Sequence, residues 1–256
     1  MERRAVDGVT FLVAEELERR GFFVAYSERI GGVSQPPFDT LNLGYATGDR
    51  PEHVRENRGR LVRALGVASF AVAKQGHGGN VVRVGDTRAG AGFGGPPSPL
   101  GEADALAVSR PGLAVAVLVA DCVPLSLASP EQGVLVAVHA GWRGMAADVV
   151  GRALAAFEGS GVLAAIGPCI GPCHYEVGED VALAVAEGSG AGAVTDRRDG
   201  RLFLDLPGTV ARVLGAAGVR RIDMADVCTA CQPDRFFSHR RDAETGRQSM
   251  VGLRIS

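Results

Sequence analysis

The stretch 120–144, ADCVPLSLASPEQGVLVAVHAGWRG, does most to limit what this 256-residue chain can fold into. Two runs rich in Val, Leu and Ala flank Ser129-Pro130-Glu131-Gln132-Gly133, a pattern that predicts two buried strands joined by a loop. The first run follows Asp121-Cys122 and the second ends in His139-Ala140-Gly141-Trp142-Arg143-Gly144. A charge, a thiol and an imidazole in such apolar strands are costly unless they are paired or bind something. The pair of strands therefore reads as a site.

Composition narrows the function classes. The net charge of −2 leaves no electrostatic footprint for nucleic acid or an anionic membrane, and 5% aromatic residues make a stacking platform for single strands unexpected. The longest apolar run, 112–120, is cut by Asp121 and is far too short to span a bilayer. The N-terminal MERRAVDGVTFLVAEELERR has only a short apolar core, followed at once by acidic residues, so no secretory signal is expected. These features point to a cytoplasmic, enzyme-like protein with neither nucleic acid nor membrane as partner. Five cysteines, an odd count, suit buried thiols or ligands better than a disulfide framework.

Along the chain, 22–26 predicts a strand, followed by a Gly/Pro-dense loop over 30–38 that continues through Leu41-Asn42-Leu43-Gly44. Asp49-x-x-Glu52 fits a capping box opening a helix that Gly66 ends. Within that helix, Glu56-Asn57-Arg58 has as its plainest reading a solvated face. Residues 70–84 predict strand, turn and strand, with Gln75-Gly76-His77-Gly78 in the turn. The Gly/Pro-rich 87–100 lacks the Lys-Ser/Thr of a phosphate-binding loop. An Ala-rich helix is expected over 145–157, a strand over 163–166, helices over 178–186 and 206–217, and an apolar stretch over 219–227. Strands and helices interleave without strict βαβ regularity, which predicts a mixed α/β sandwich rather than a doubly wound sheet.

Five histidines are present. His77, Cys122 and His139 make a good zinc set, since three protein ligands leave a fourth position open for water or substrate. Their separations match no compact finger pattern. Two other readings stand beside the metal: satisfied core residues, or a Cys122–His139 nucleophilic pair with Asp121 orienting the base or acting as acid/base. Cys169-x3-Cys173 with Cys228-x2-Cys231 can be drawn as a four-cysteine site, although ordinary buried thiols are the simpler reading. Arg29, Arg58, Arg143, Arg240 and Arg241 lie beside Gly-rich or aromatic segments. Arginine suits bidentate capture of phosphate or carboxylate, and Arg143, directly after the His139 strand, is the strongest of these candidates.

A series of motifs occurs in order along nearly the whole chain. It runs Ser27-x-Arg29-x-Gly31-Gly32-Val33-Ser34, Leu41-Asn42-Leu43-Gly44, Glu56-Asn57-Arg58, Gln75-x-His77-Gly78 and Ala103-Asp104-Ala105. It continues through Ala120-Asp121-Cys122-Val123-Pro124, His139-Ala140-Gly141-Trp142-Arg143-Gly144, Gly167-Pro168-x-Ile170 and Cys173-x-Tyr175-Glu176-Val177. It ends with Phe236-Phe237-Ser238-x-Arg240-Arg241 and Thr245-Gly246-Arg247. The chain thereby resembles the laccase-domain, or polyphenol oxidase, family of purine nucleoside phosphorylases. The resemblance implies one domain over 1–256 with a four-layer α/β/β/α sandwich, related at the level of fold to a cysteine-hydrolase toxin domain. It implies metal ligation by His77, Cys122 and His139, with zinc as the metal and copper as the alternative. It also implies phosphorolysis of adenosine, inosine, guanosine and methylthioadenosine, and deamination of adenosine. Arg29, Asn42, Arg58 and Arg143 match family positions near the pocket, and Asp121 or Glu176 is the acid/base candidate. His174 stands where a small residue or Cys is usual and has no assigned role. A multicopper laccase needs on the order of ten histidine ligands, commonly in His-x-His pairs; five histidines without one such pair exclude it. The alternatives are an amidohydrolase, metal- or cysteine-dependent, acting on peptidoglycan precursors in quality control, and a single-copper polyphenol oxidase.

Overall fold

The strands expected on either side of the 129–133 turn form as an antiparallel pair, and all fourteen of their residues are buried. A strand buried on both faces must sit between two other layers. The structure, a computed structural model, describes residues 1–159 and 161–255.

In chain order the strands of the first half are β1 (Glu2–Val6), β2 (Val9–Val13), β3 (Phe22–Ser27), β4 (Phe70–Ala71), β5 (Val81–Arg83), β6 (Ala105–Val108) and β7 (Ala114–Val119). Those of the second half are β8 (Val123–Ser129), β9 (Val134–Ala140), β10 (Leu163–Ile166), β11 (Thr195–Arg198), β12 (Arg201–Leu204), β13 (Arg221–Met224) and β14 (Gln248–Arg254). The helices are α1 (Glu15–Glu18), α2 (Pro51–Leu65), α3 (Trp142–Ala146), α4 (Val149–Leu154), α5 (Glu179–Ser189), α6 (Leu206–Ala216) and α7 (His239–Asp242). One mixed sheet has the order β1-β2-β3-β14-β7-β4, a second has β13-β10-β8-β9-β6-β5, and β11 and β12 form a separate ribbon.

The side-chain period of two sorts these strands among three cores. Met250 of β14 faces inward with Val24, Tyr26, Val117, Leu135 and Ala137, filling the space between the sheets. Its neighbour Val251 faces outward with Val9, Phe11, Leu61 and Val62, where α2 covers the first sheet. On the far side, Val134, Val136 and Val138 of β9 pack with Val149 and Val150 of α4 and with Val210 and Leu214 of α6. The layers are therefore α/β/β/α, as the resemblance implied.

Tyr26 ties the sheets together. Its ring is fully buried, and its hydroxyl lies 2.9 Å from both Ser126 Oγ and the Ala165 carbonyl oxygen of the facing sheet. Gly167 is required beside it, because a Cβ there would come within 2.1 Å of the ring. Tyr26→Phe should lower unfolding free energy by about 1 kcal/mol, a net hydrogen-bond contribution, and Tm by about 2–4 °C. An unchanged melting curve would show that the hydroxyl carries no stability.

Several local expectations are corrected. The long helix starts at Pro51 with Arg50 at its N-cap and without a side-chain cap. Asp49, expected in the capping box, instead accepts from Ser34 Oγ and Asn42 Nδ2 in the preceding loop. Gly66 ends the helix in the left-handed conformation, as expected. In the middle of that helix Asn57 and Arg58 are buried, not solvated, and only Glu56 faces out. The helix expected over 145–157 is broken in two: Asp148, at φ 56°, ends the first piece, and its carboxylate accepts from Gly151 N to cap the second.

A candidate metal centre in a basic cavity

Strand register assembles the centre. His139 is the penultimate residue of β9, opposite Pro124, so Cys122, just before β8, lies at the same end of the sheet. On the other side of β9, β6 pairs Ala105 with Val138, and the ladder continues one residue further through His139 N donating to the Asp104 carbonyl at 2.7 Å. The turn carrying His77 reaches the same point because β5 runs parallel beside β6. His77, Cys122 and His139 thus offer one ligand atom each, all within 4.8 Å of one another. The two imidazole rings meet edge to face with centroids 4.7 Å apart.

Asp104, 1% exposed, organises this group. Its Oδ1 lies 2.8 Å from His139 Nδ1, and its two oxygens accept from the amides of Gly76, His77 and Gly78 at 3.2, 2.9 and 2.7 Å. One carboxylate thereby orients one imidazole and the turn that presents the other, the arrangement expected behind a metal-ligating histidine. It leaves His139 Nε2 for the centre. Burial alone would push the Cys122 thiol up, but the imidazoles of His139 and His77 outweigh it and hold it down at about 6. His139 is shifted the other way: burial lowers it, and Cys122 and Asp104 overcome this and raise it to about 9. A pre-formed thiolate beside imidazoles locked by a carboxylate fits a borderline-soft cation such as zinc. Gly141 keeps the group tight, since a Cβ there would stand 2.8 Å from Cys122 Sγ and 3.3 Å from His77 Cδ2.

The three candidate ligands sit in the wall of a cavity of about 770 Å³. Arg58, Arg143, Arg240 and Arg247 line it, and none of them pairs with a carboxylate among the described residues. Arg143 stacks on Trp142 at 4.3 Å. Arg247 donates to the Thr245 and Gly246 carbonyls, and burial lowers its pKa. Tyr45 contributes a buried hydroxyl oxygen with no hydrogen-bond partner among the described residues.

Of the other residues singled out in the sequence, Asp121, Arg58, Arg143 and Arg240 line this cavity. Asp121 has φ 94° and both its oxygens are occupied: Thr229 Oγ1 donates to one and Arg240 N to the other, each at 2.6 Å. Arg58 spends its N–H groups on the carbonyls of Leu43, Gly92 and Phe93, pinning two loops. Arg29 and Asn42 are not brought to the cavity. Arg29 binds the Asp39 and Pro233 carbonyls and the Asp39 carboxylate. Asn42 is fully buried, donating to Thr47 and Asp49 and accepting from the amides of Gly44 and Arg247. Glu176 lies exposed outside the lining, 3.5 Å from Arg201. Asp104 and Arg247 stand in the sequence motifs without an assigned role, although Asp104 carried the signal that flagged Asp121: a lone carboxylate at the edge of an apolar strand.

The fold and the centre define a class: an α/β/β/α sandwich with a His–Cys–His candidate metal site facing a basic cavity. The chain matches the family described as multi-copper polyphenol oxidoreductase laccase over residues 23–254, and it belongs to that family. It is 38% identical over 234 residues to the purine nucleoside phosphorylase YfiH of Shigella flexneri (90% of this chain and 93% of that one). It is 41% identical over 247 residues to a purine nucleoside phosphorylase of Xylella fastidiosa (92% and 94%). Among solved structures, YlmD from Geobacillus stearothermophilus superposes with TM-score 0.91 at 29% identity, covering 99% of this chain and 98% of its own. A hypothetical protein YfiH from Bacillus licheniformis gives 0.88 at 28% identity, with 98% of each chain covered. No helix among the described residues is long and apolar enough to cross a membrane.

Proposed function

We propose that the chain is a zinc-dependent purine nucleoside phosphorylase that also deaminates adenosine, acting as a monomer in the cytoplasm. The observation that carries this reading is the His–Cys–His group opening onto a cavity lined by arginines without carboxylate partners. The names of the relatives support its phosphorylase part. Arg143, Arg240 and Arg247 supply charge for a phosphate anion, while Tyr45, Leu118, Trp142 and Tyr175 offer apolar surface for a purine.

When bound at His77, Cys122 and His139, zinc supplies Lewis-acid polarisation and a lowered pKa for water. Asp104 keeps His139 Nδ1 protonated and turned away, so the ring presents its other nitrogen. Asp121, with both oxygens already held, is a positioning residue that fixes the backbone before Cys122. In phosphorolysis, a phosphate oxygen bonds to C1′ as the N-glycosidic bond breaks, and the purine leaves with a proton. In deamination, water adds at C6 and ammonia departs. Adenosine, inosine, guanosine and methylthioadenosine are the substrates of this reading.

One observation favours a second reading. Cys122, His139 and Asp104 also form the order of groups used by cysteine hydrolases, with the thiol depressed. A single assay separates the two. Adenosine given with phosphate should yield adenine, and without phosphate inosine, with both activities lost on chelation and restored by zinc. Turnover that persists in the metal-free chain would overturn the zinc reading in favour of Cys122 as nucleophile.

A further inference from the structure

Four ligand-type side chains gather at a second place, away from the cavity lining. The parallel pairing of β10 with β13 continues past the strand ends through a bridge between Cys169 and Cys228. It brings the loop after β10, Cys169-Ile170-Gly171-Pro172-Cys173-His174, against the loop after β13, Cys228-Thr229-Ala230-Cys231. Cys173, His174, Cys228 and Cys231 converge there, with ligand atoms all within 4.8 Å of one another. The four-cysteine grouping, the less simple of the two readings drawn from the sequence, is altered in one member. Cys169 is buried outside the cluster, and His174, which had no assigned role, takes its place. The remaining thiols are not buried: Cys173 and Cys231 are exposed and Cys228 is half-buried.

The spacing has the form of a closed coordination shell. Cys173 Sγ lies 3.5 Å from Cys231 Sγ, and His174 Nδ1 lies 3.3, 3.8 and 3.4 Å from the sulfurs of Cys173, Cys228 and Cys231. Ligands about 2.3 Å (sulfur) and about 2.0 Å (nitrogen) from a tetrahedral zinc stand about 3.8 Å apart sulfur to sulfur and about 3.6 Å nitrogen to sulfur. Cys228-x2-Cys231 is the usual knuckle spacing. The Gly171 amide donates to Cys228 Sγ at 3.2 Å, the backbone support that a metal thiolate receives. Gly171 packs closely on the cluster: a Cβ there would stand 3.2 Å from Cys228 Cβ and 3.4 Å from Cys173 Sγ.

We propose that Cys173, His174, Cys228 and Cys231 form a second, structural metal site that takes zinc through three thiolates and one imidazole nitrogen. Four protein ligands complete the shell, so this site offers no position for substrate, and the thiol protons pass to solvent as the ion binds. Its effect on the rest of the molecule is mechanical. The ion clasps two loops: one leads into Tyr175 in the cavity wall, and the other holds Thr229, whose hydroxyl donates to Asp121. Arg241 braces the second loop from the opposite side, donating to the Thr229 and Ala230 carbonyls.

Metal analysis of the full chain tests this. Wild-type protein grown with zinc should carry two equivalents, C228S/C231S one and C122A one, and the triple variant none, with circular dichroism checking the fold. Wild-type zinc content in C228S/C231S would overturn the proposal, as would a Cys173–Cys231 disulfide, seen as a mass lower by two hydrogens, in protein purified under reducing conditions. Should the double variant fail to fold, cobalt-loaded C122A provides the second measurement. A thiolate-to-cobalt charge-transfer band there can come only from the second cluster, and its absence overturns the proposal.

Discussion

Replacing His139 with alanine should lower both phosphorolysis and deamination of adenosine by at least about 10³-fold, equivalent to about 4 kcal/mol of barrier. The ring is one of the three candidate ligands at the centre and lies at the end of β9. Its removal leaves His77 and Cys122, too few to hold zinc firmly at an open site. The fold should survive. Val134, Val136, Val138 and Ala140 carry the packing of β9 against the helices, and they alternate with His139 along the strand. A circular dichroism spectrum like that of the wild type, together with lost metal and lost turnover, is the expected result. Rates within about 10-fold of wild type would remove the His–Cys–His group from the chemistry.

The second large effect falls on a residue that touches no substrate. Asp104→Asn should weaken metal binding about 10–100-fold, the usual cost of losing the carboxylate behind a ligating histidine. It should also destabilise the chain, because four N–H donors converge on this buried carboxylate and an amide has only one oxygen to accept them. Leaving even one buried donor without a partner costs about 1–3 kcal/mol. In a chain of this length that corresponds to a fall in Tm of a few degrees or more. Competition with a chromogenic chelator measures the first effect and a thermal melt the second. Asp104→Glu, which keeps the charge, should recover part of the affinity. Wild-type affinity in Asp104→Asn would mean that His139 is oriented without it.

Much of the site was legible because polar groups in apolar strands are conspicuous. Asp121, Cys122 and His139 stand out against runs of Val, Leu and Ala, and the turn between those runs makes them neighbours. His77 was harder to see, coming from a glycine-rich turn 45 residues before Cys122. It was joined to the others by its chemistry and by the family motifs. Arg29 lies beside a Gly/Pro-rich loop and Arg58 within α2, and both satisfy backbone carbonyls; Arg58 lines the cavity and Arg29 does not. Asn42 is a buried hub that shapes the loop it lies in. A residue type and a glycine-rich setting identify a functional loop without saying which of its side chains turn toward the cavity.

From its sequence alone this chain determined the antiparallel pair at 123–140, the sandwich class and three metal-ligand candidates. The strand pair, Cys122 and His139 follow from local rules: apolar runs for strands, turn residues for the loop, and the cost of burying polar groups; His77 came from its ligand chemistry and the family motifs. Tertiary structure decided the rest. Asp104 became the partner of His139 only through the register of β6 against β9. His174 replaced Cys169 in the second cluster only through the meeting of two loops at the ends of β10 and β13. Cross-strand register and side-chain direction depend on which strands pair, and that choice is made by packing across the whole sandwich.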